Sequence, residues 1–295
     1  MRRVAAYQRR ACDSIRASEC AARTDRNPRA QSKGPAVSEL VLSEKRGSVA
    51  VLTLNRPDVL NALNPAIVEA LAKRIDEVRS DAGARALVLT GSGRAFAAGA
   101  DIGEMRKMSP LEGVGFSRRG HDVLSSLEAL AIPTIAAVNG YALGGGCEVA
   151  LSCDWIYASK KARFGQPEVN LGLVPGFGGN TRLVRRVGVA WAKELVLTGE
   201  PVDAETALRI GIANRVYDDT EQLLEAAVAM GEKIAEKGPV AIEFGKRLIQ
   251  ESQDANLHLA NAYEQAAFGT IFGTEDRLEG KDAFLAKRAP KFKGR

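Results

Sequence analysis

Asn139-Gly140-Tyr141-Ala142-Leu143-Gly144-Gly145-Gly146-Cys147-Glu148 links an apolar strand-like run, Thr134–Val138, to the expected start of a helix. Three glycines entering a helix leave backbone N–H groups uncovered and approachable. Such groups can bind an anion or a developing oxyanion. Glu148 follows within the first helical turn, where a carboxylate suits the helix dipole. Taken alone, the stretch reads more readily as glycines that permit tight packing, followed by a capping charge.

Two further glycine- and proline-rich segments flank it. Upstream, Gly91-Ser92-Gly93-Arg94-Ala95-Phe96-Ala97-Ala98-Gly99-Ala100-Asp101 opens with the spacing of a dinucleotide fingerprint. Phe96 takes the third glycine position and Pro110 follows soon after, which argues against a Rossmann site. Downstream, Phe164-Gly165-Gln166-Pro167-Glu168 leads to Gly172 and Pro175-Gly176-Phe177-Gly178-Gly179. Phe164, Pro167, Val169 and Leu171 give Glu168 an apolar neighbourhood, which can raise a carboxyl pKa toward neutrality as a general acid requires. A surface-turn glutamate is the competing reading. Spacing alone does not make Glu148 and Glu168 face each other.

Working outward, order is expected from Val37. Leu40–Ser43 and Ser48–Leu54 read as a hairpin around Lys45-Arg46-Gly47. Asn64 and Pro65 mark a helix start, and Ile67, Val68, Leu71, Ile75 and Val78 give that helix one buried face. Ala86–Thr90 is a strand, a helix is expected near Gly113–Leu130, and Thr134–Val138 is another strand. Alternating strands and helices predict an α/β core with a largely parallel sheet over residues 37–219. From Thr220 the strand signals stop. Glu221–Glu236, Val240–Glu251 and Leu257–Ile271 read as amphipathic helices, so 220–295 is expected to be a helical C-terminal region. No repeat period is visible.

Composition narrows the function classes. The 295 residues are 45% hydrophobic and 5% aromatic, enough for a sizeable aliphatic core. No uncharged apolar run is long enough for a membrane span. Residues 1–36 carry eight arginines and one lysine against three acidic residues, a charge of +6 in a chain whose total is +5. The remaining residues therefore sum to −1 and offer no electrostatic case for a polyanion partner. The extension itself is expected to be disordered. Its arginines suggest an organelle transit peptide, but its acidic residues count against one. Cys12, Cys20, Cys147 and Cys153 fit neither a zinc site nor a disulfide framework, so a reducing compartment is expected: the cytoplasm, or the mitochondrial matrix if the extension is a transit peptide. His121 and His258 lack a serine or cysteine partner, Cys147 reads as a buried small hydrophobe, and no metal site is expected.

Asn55-Arg56-Pro57, Asn61-Ala62-Leu63, Phe96–Asp101, Asn139–Glu148, Phe164–Glu168, Asp276-Arg277-Leu278-Glu279-Gly280 and the tail from Phe284 to Phe292 occur in one order. On these motifs the chain resembles the enoyl-CoA hydratase/isomerase family, the crotonase superfamily, from Val37 to the C-terminus. The resemblance implies a spiral of ββα repeats with C-terminal helices that build trimers, often paired into hexamers. It also implies an acyl-CoA thioester substrate, coenzyme A being part of the substrate rather than a cofactor, in the setting of fatty acid metabolism and β-oxidation. By position, the Ala100 and Gly145 N–H groups match the oxyanion hole, and Glu148 and Glu168 match the catalytic base and acid. Gly176 and Gln166 match positions around the attacking water. Val59, Ala62, Ala98, Asp101 and Ile102 match the CoA path, and Phe284 and Lys287 match tail positions near the nucleotide. Gly103 and Asp58 stand where relatives often carry basic residues, so CoA binding is expected to draw on other cations. Asn170 and Asn180 also depart from the pattern. The activity implied is hydration of a 2-enoyl-CoA. The alternatives are a Δ3-Δ2-enoyl-CoA isomerase and, in another class, RNA binding through the basic extension.

Overall fold

The computed structural model describes residues 37–295, so the expectations for the extension lie outside the described residues. A short helix α1 (Val37–Leu40) leads into β1 (Val41–Arg46) and β2 (Val49–Leu54). These pair antiparallel from Val41↔Leu54 to Arg46↔Val49, the hairpin expected there. In α2 (Pro65–Ser80) the Asn64 side chain accepts the Ile67 N–H, and Pro65 occupies the first turn, where its missing donor costs nothing. Its buried stripe is Ile67, Val68, Ala70, Leu71, Ile75 and Val78.

The chain then repeats one unit. β3 (Ala86–Gly91) and β4 (Ala95–Ala98) precede α3 (Ile102–Met105) and α4 (Pro110–Glu128). β5 (Thr134–Val138) and β6 (Tyr141–Leu143) precede α5 (Gly145–Leu151). β7 (Trp155–Ser159) and β8 (Arg163–Gly165) precede a 3-10 turn (Pro167–Leu171) and α6 (Gly179–Thr198). β9 (Val202–Asp203), α7 (Ala204–Ile210) and β10 (Arg215–Tyr217) close the series. The first strand of each pair joins a six-stranded sheet, β1-β2-β3-β5-β7-β10, and the second joins a four-stranded sheet, β4-β6-β8-β9. Only β1–β2 and β8–β9 are antiparallel. This is the ββα spiral that the resemblance implied.

The larger sheet is covered on both faces, which explains its nearly unbroken apolar strands. Ala50, Leu52, Leu54, Leu87, Leu89, Ala136 and Val138 face a core shared with α2 and the smaller sheet. The alternate residues Val49, Val51, Ala86, Val88, Ile135 and Ala137 pack with Leu223 and Ala227 of α8 (Thr220–Ala235). Beyond α8 come α9 (Pro239–Ser252), α10 (Leu257–Ile271) and α11 (Glu275–Leu285). Ile249, Leu257 and Phe268 on α9 and α10 are exposed. Among the described residues no helix is long and apolar enough to cross a membrane.

Candidate active site

The site is assembled where the two sheets end, from loops whose conformations are dictated by buried amides. Asn61, fully buried, accepts the Arg56 N–H at 2.7 Å and donates to the carbonyls of Ser92 (3.0 Å) and Ala95 (2.8 Å). Arg56 in turn donates to the Ala62 carbonyl at 2.5 Å and pairs with Asp101 at 3.2 Å. These bonds lay the Val59–Leu63 segment along the end of β4. The Ala98 N–H meets the Leu60 carbonyl, the Leu63 N–H meets the Gly99 carbonyl, and the Asp101 N–H meets the Leu63 carbonyl. The parallel bridge Leu63↔Ala100 is thus made by Ala100's neighbours, and Ala100's own N–H lies outside it.

The glycine run Gly144–Gly146 does three different things. Gly144 has φ +49°, and a Cβ there would lie 2.6 Å from Glu168 Oε1, so only glycine admits both the backbone and the carboxyl. Gly145 is the first residue of α5, so no carbonyl lies four residues back to take its N–H within the helix. Its Cα faces Ala100 closely: an added Cβ would lie 3.9 Å from the Ala100 nitrogen. Gly146 abuts the Ala97 carbonyl, which a side chain would overlap. The Gly144–Gly145 backbone thus lies next to both the Ala100 nitrogen and the Glu168 carboxyl.

Glu148 is buried at 1% exposure, and it does not cap its own helix. Its Oε1 accepts the N–H groups of Phe177 (2.7 Å) and of Gly179 (2.6 Å), the latter the first residue of α6. The positive end of α6 is thus presented to a buried carboxylate. Burial pushes the Glu148 pKa up, opposed by the Gly179 and Phe177 N–H groups and then by the Arg182 charge. Glu168 sits in the 3-10 turn after β8. Burial, with the Glu148 charge adding to it, pushes its pKa up to about 7 against its own backbone N–H. Glu168 Oε2 and both polar side-chain atoms of Gln166 are buried without a partner among the described residues. Unsatisfied buried groups are rare enough that a cluster of them points to chemistry.

The other residues singled out from sequence are placed as follows. Gln166 lies with Glu148 against Gly179, its Nε2 2.5 Å and Glu148 Oε1 3.0 Å from the position of a Gly179 Cβ. Val59 and Ile102 are exposed, while Ala62, Ala98 and Asp101 are half-buried along the same seam. Gly176 gives its carbonyl to Ser117 Oγ at 2.5 Å. Phe284 and Lys287 are exposed at the end of α11, and no hydrogen bond or ion pair among the described residues ties them to the cluster. Asn180 donates to the Pro175 carbonyl at 3.3 Å, and the Asn170 amide lies against Gly199. Cys147 is fully buried, and burial beside Glu148 and Glu168 pushes its thiol well up, out of the range of a nucleophile. The donors on Phe177 and Gly179 escaped the sequence reading. Gly178-Gly179 was visible as a glycine pair, but which glycine N–H meets Glu148 is set by the packing of α4 and α6.

The model of the family described as enoyl-CoA hydratase/isomerase matches residues 44–295. The chain belongs to this family. It is 47% identical over 249 residues to the short-chain-enoyl-CoA hydratase of Clostridium acetobutylicum, covering 84% of this chain and 95% of that protein. It is 42% identical to the crotonyl-CoA hydratase of Syntrophomonas wolfei, covering 86% and 98%. Among solved structures, the enoyl-CoA hydratase of Bacillus anthracis superposes with a TM-score of 0.84 at 36% identity, covering 87% of this chain and all of that one. In this chain the start of α5 lies against the Ala100 nitrogen and the Glu168 carboxyl, and Glu148 of the same helix meets the start of α6.

Proposed function

We propose that the chain is an enoyl-CoA hydratase that adds water across the 2,3 double bond of a 2-enoyl-CoA to give a 3-hydroxyacyl-CoA. The enzyme is a hydro-lyase. The observation that carries the reading is the pair of carboxyls with raised pKa values. Glu148 is buried, which pushes its pKa up, and it accepts two N–H groups at 2.7 and 2.6 Å that oppose that push and fix its orientation, while the half-buried Glu168 has a pKa of about 7 and so carries an exchangeable proton near neutrality.

The steps follow from those states. Glu148 takes a proton from water, and the hydroxyl oxygen bonds to C3. The π pair of the double bond moves toward the thioester carbonyl, and the charge gathering on its oxygen is met by the Ala100 and Gly145 N–H groups. Glu168 delivers its proton to C2. Water has been added, Glu148 is now protonated and Glu168 ionised. Proton exchange through water resets the pair, whose titrations are coupled. Only protons and water move, so the reaction draws on no cofactor beyond the CoA carried by the substrate. We further infer a trimer or hexamer, supported by the exposed apolar side chains Ile249, Leu257, Phe268, Phe284 and Leu285 on α9–α11.

Crotonyl-CoA incubated in ¹⁸O-labelled water distinguishes the reactions within the family. The expected product carries the label in its 3-hydroxyl group. Conversion of a 3-enoyl-CoA to its 2-isomer with no label uptake from either substrate would instead identify an isomerase.

A further inference from the structure

At 1% exposure Glu148 cannot rely on water to set its charge, so the groups holding its two N–H donors matter. The peptide joining Gly176 to Phe177 donates its N–H to Glu148 at 2.7 Å, and its carbonyl accepts the Ser117 hydroxyl at 2.5 Å. The next carbonyl, of Phe177, accepts Arg182 Nη1 at 2.6 Å. The rest of that guanidinium forms a two-bond fork on Glu128, at 2.6 and 2.8 Å, with 12% of the Arg182 side chain and 23% of the Glu128 side chain exposed. The Phe177 ring lies on the bare Cα of Gly120, where any Cβ would overlap it, and meets Phe116 edge-on at 5.0 Å between ring centres. Phe116, Ser117, Gly120 and Glu128 all belong to α4.

We propose that α4 orients the general base: Ser117 and the Glu128–Arg182 pair are positioning residues that keep the turn carrying the Phe177 and Gly179 N–H donors on Glu148. The inference rests on the role given above to Glu148. A peptide whose carbonyl already accepts a hydrogen bond is polarised and donates more strongly, as the Gly176–Phe177 peptide does with Ser117, whereas Arg182 grips the Phe177–Gly178 peptide lying between the two donors and fixes where both point. Other groups also face Glu148. Glu168 approaches from the 3-10 turn, and Cys147 adjoins it on α5. Arg182 is the cation that favours the charge, and His121 of α4 lies beside Gly178. Loss of the α4 ties would weaken what opposes burial, so Glu148 would hold its proton to higher pH.

The test uses the full chain with Ser117→Ala, Glu128→Gln and Arg182→Gln, and with Ser117→Thr as the conservative control. Crotonyl-CoA hydration is measured across pH. In parallel the Glu148 carboxyl is titrated by ¹³C NMR of glutamate-labelled protein, its resonance assigned as the one missing from Glu148→Gln. The expected result for the first three variants is a kcat lowered about tenfold or more, with KM within about threefold. The acid limb of kcat/KM and the Glu148 titration should both move up by about half a pH unit or more. Ser117→Thr should restore both. Variants that fold by circular dichroism and keep the wild-type limb and titration overturn the proposal, whatever their melting temperatures. Ser117→Ala removes a single oxygen and keeps the test open should the charge variants fail to fold. If the wild type itself does not hydrate crotonyl-CoA, the functional reading fails. The carboxyl titration then decides this proposal alone: a shift supports it and its absence overturns it.

Discussion

Glu168 shows how one side chain can serve chemistry at the expense of stability. Its folded pKa of about 7 lies above the 4.5 of a free glutamate. Between those values the folded chain binds more proton than the unfolded chain, so stability falls as pH rises from about 4.5 to about 7 and stays lowered above that. Glu168→Gln removes this penalty. Thermal melts should show the variant equal to wild type near pH 4 and more stable at pH 8, by about 1–2 kcal/mol once solvent screening of this partly exposed group is allowed for. A wild type that is the more stable at pH 8 would contradict the raised value. At this scale the sequence was informative where an effect is local: the apolar run of Phe164, Pro167, Val169 and Leu171 led to the expectation of a raised Glu168 pKa, and burial does raise it, although Leu171 itself is exposed. It was uninformative about Glu148, whose donors come from residues about thirty positions away.

Elements were legible in proportion to their length and the regularity of their buried faces. α2 announced itself through Asn64, Pro65 and a helical-period stripe, and β3 and β5 through short apolar runs. The second sheet did not, because β4, β6, β8 and β9 are two to four residues long, too short to show a period. The same shortness hid the ββα repeat, which is a repeat of geometry and not of residues. Pro110 helps to start α4 instead of interrupting it: Ser109 and Glu112 form a capping box around it. α11 went unread as a helix because it buries only Asp276 and Ala283, leaving no apolar stripe to see. The Asn61 bonds tie elements together, which gives a prediction at this scale. Asn61→Ala should cost about 2–3 kcal/mol in chemical denaturation, from the lost bonds and the groups left unpaired. It should also lower kcat/KM, because the segment that places Ala100 loosens. Full stability in this variant would show that the loop is held by other means.

For the whole molecule, charge is the property most easily misread. Residues 1–36 carry +6, which makes the net charge +5, and the remainder at −1 has no reason to seek a polyanion. Deleting residues 1–36 should therefore leave kcat/KM on crotonyl-CoA unchanged, while any salt-sensitive binding of RNA should disappear with them. RNA binding that survives the deletion would place a second function in the folded body. The order of motifs carried the family and the fold. Acyl-chain preference was not legible, because it depends on the shape of a pocket built by side chains far apart in sequence, with only a few atoms separating one chain length from another.

The central claim is that Glu148 and Glu168 together hydrate an enoyl thioester. Its most direct test follows the loss of conjugated-thioester absorbance from crotonyl-CoA with wild type, Glu148→Gln and Glu168→Gln. Rapid loss with the wild type and a fall of about 10²–10⁴-fold in each variant is the predicted result. A wild type that binds the thioester without hydrating it, or variants that hydrate at the wild-type rate, would contradict it.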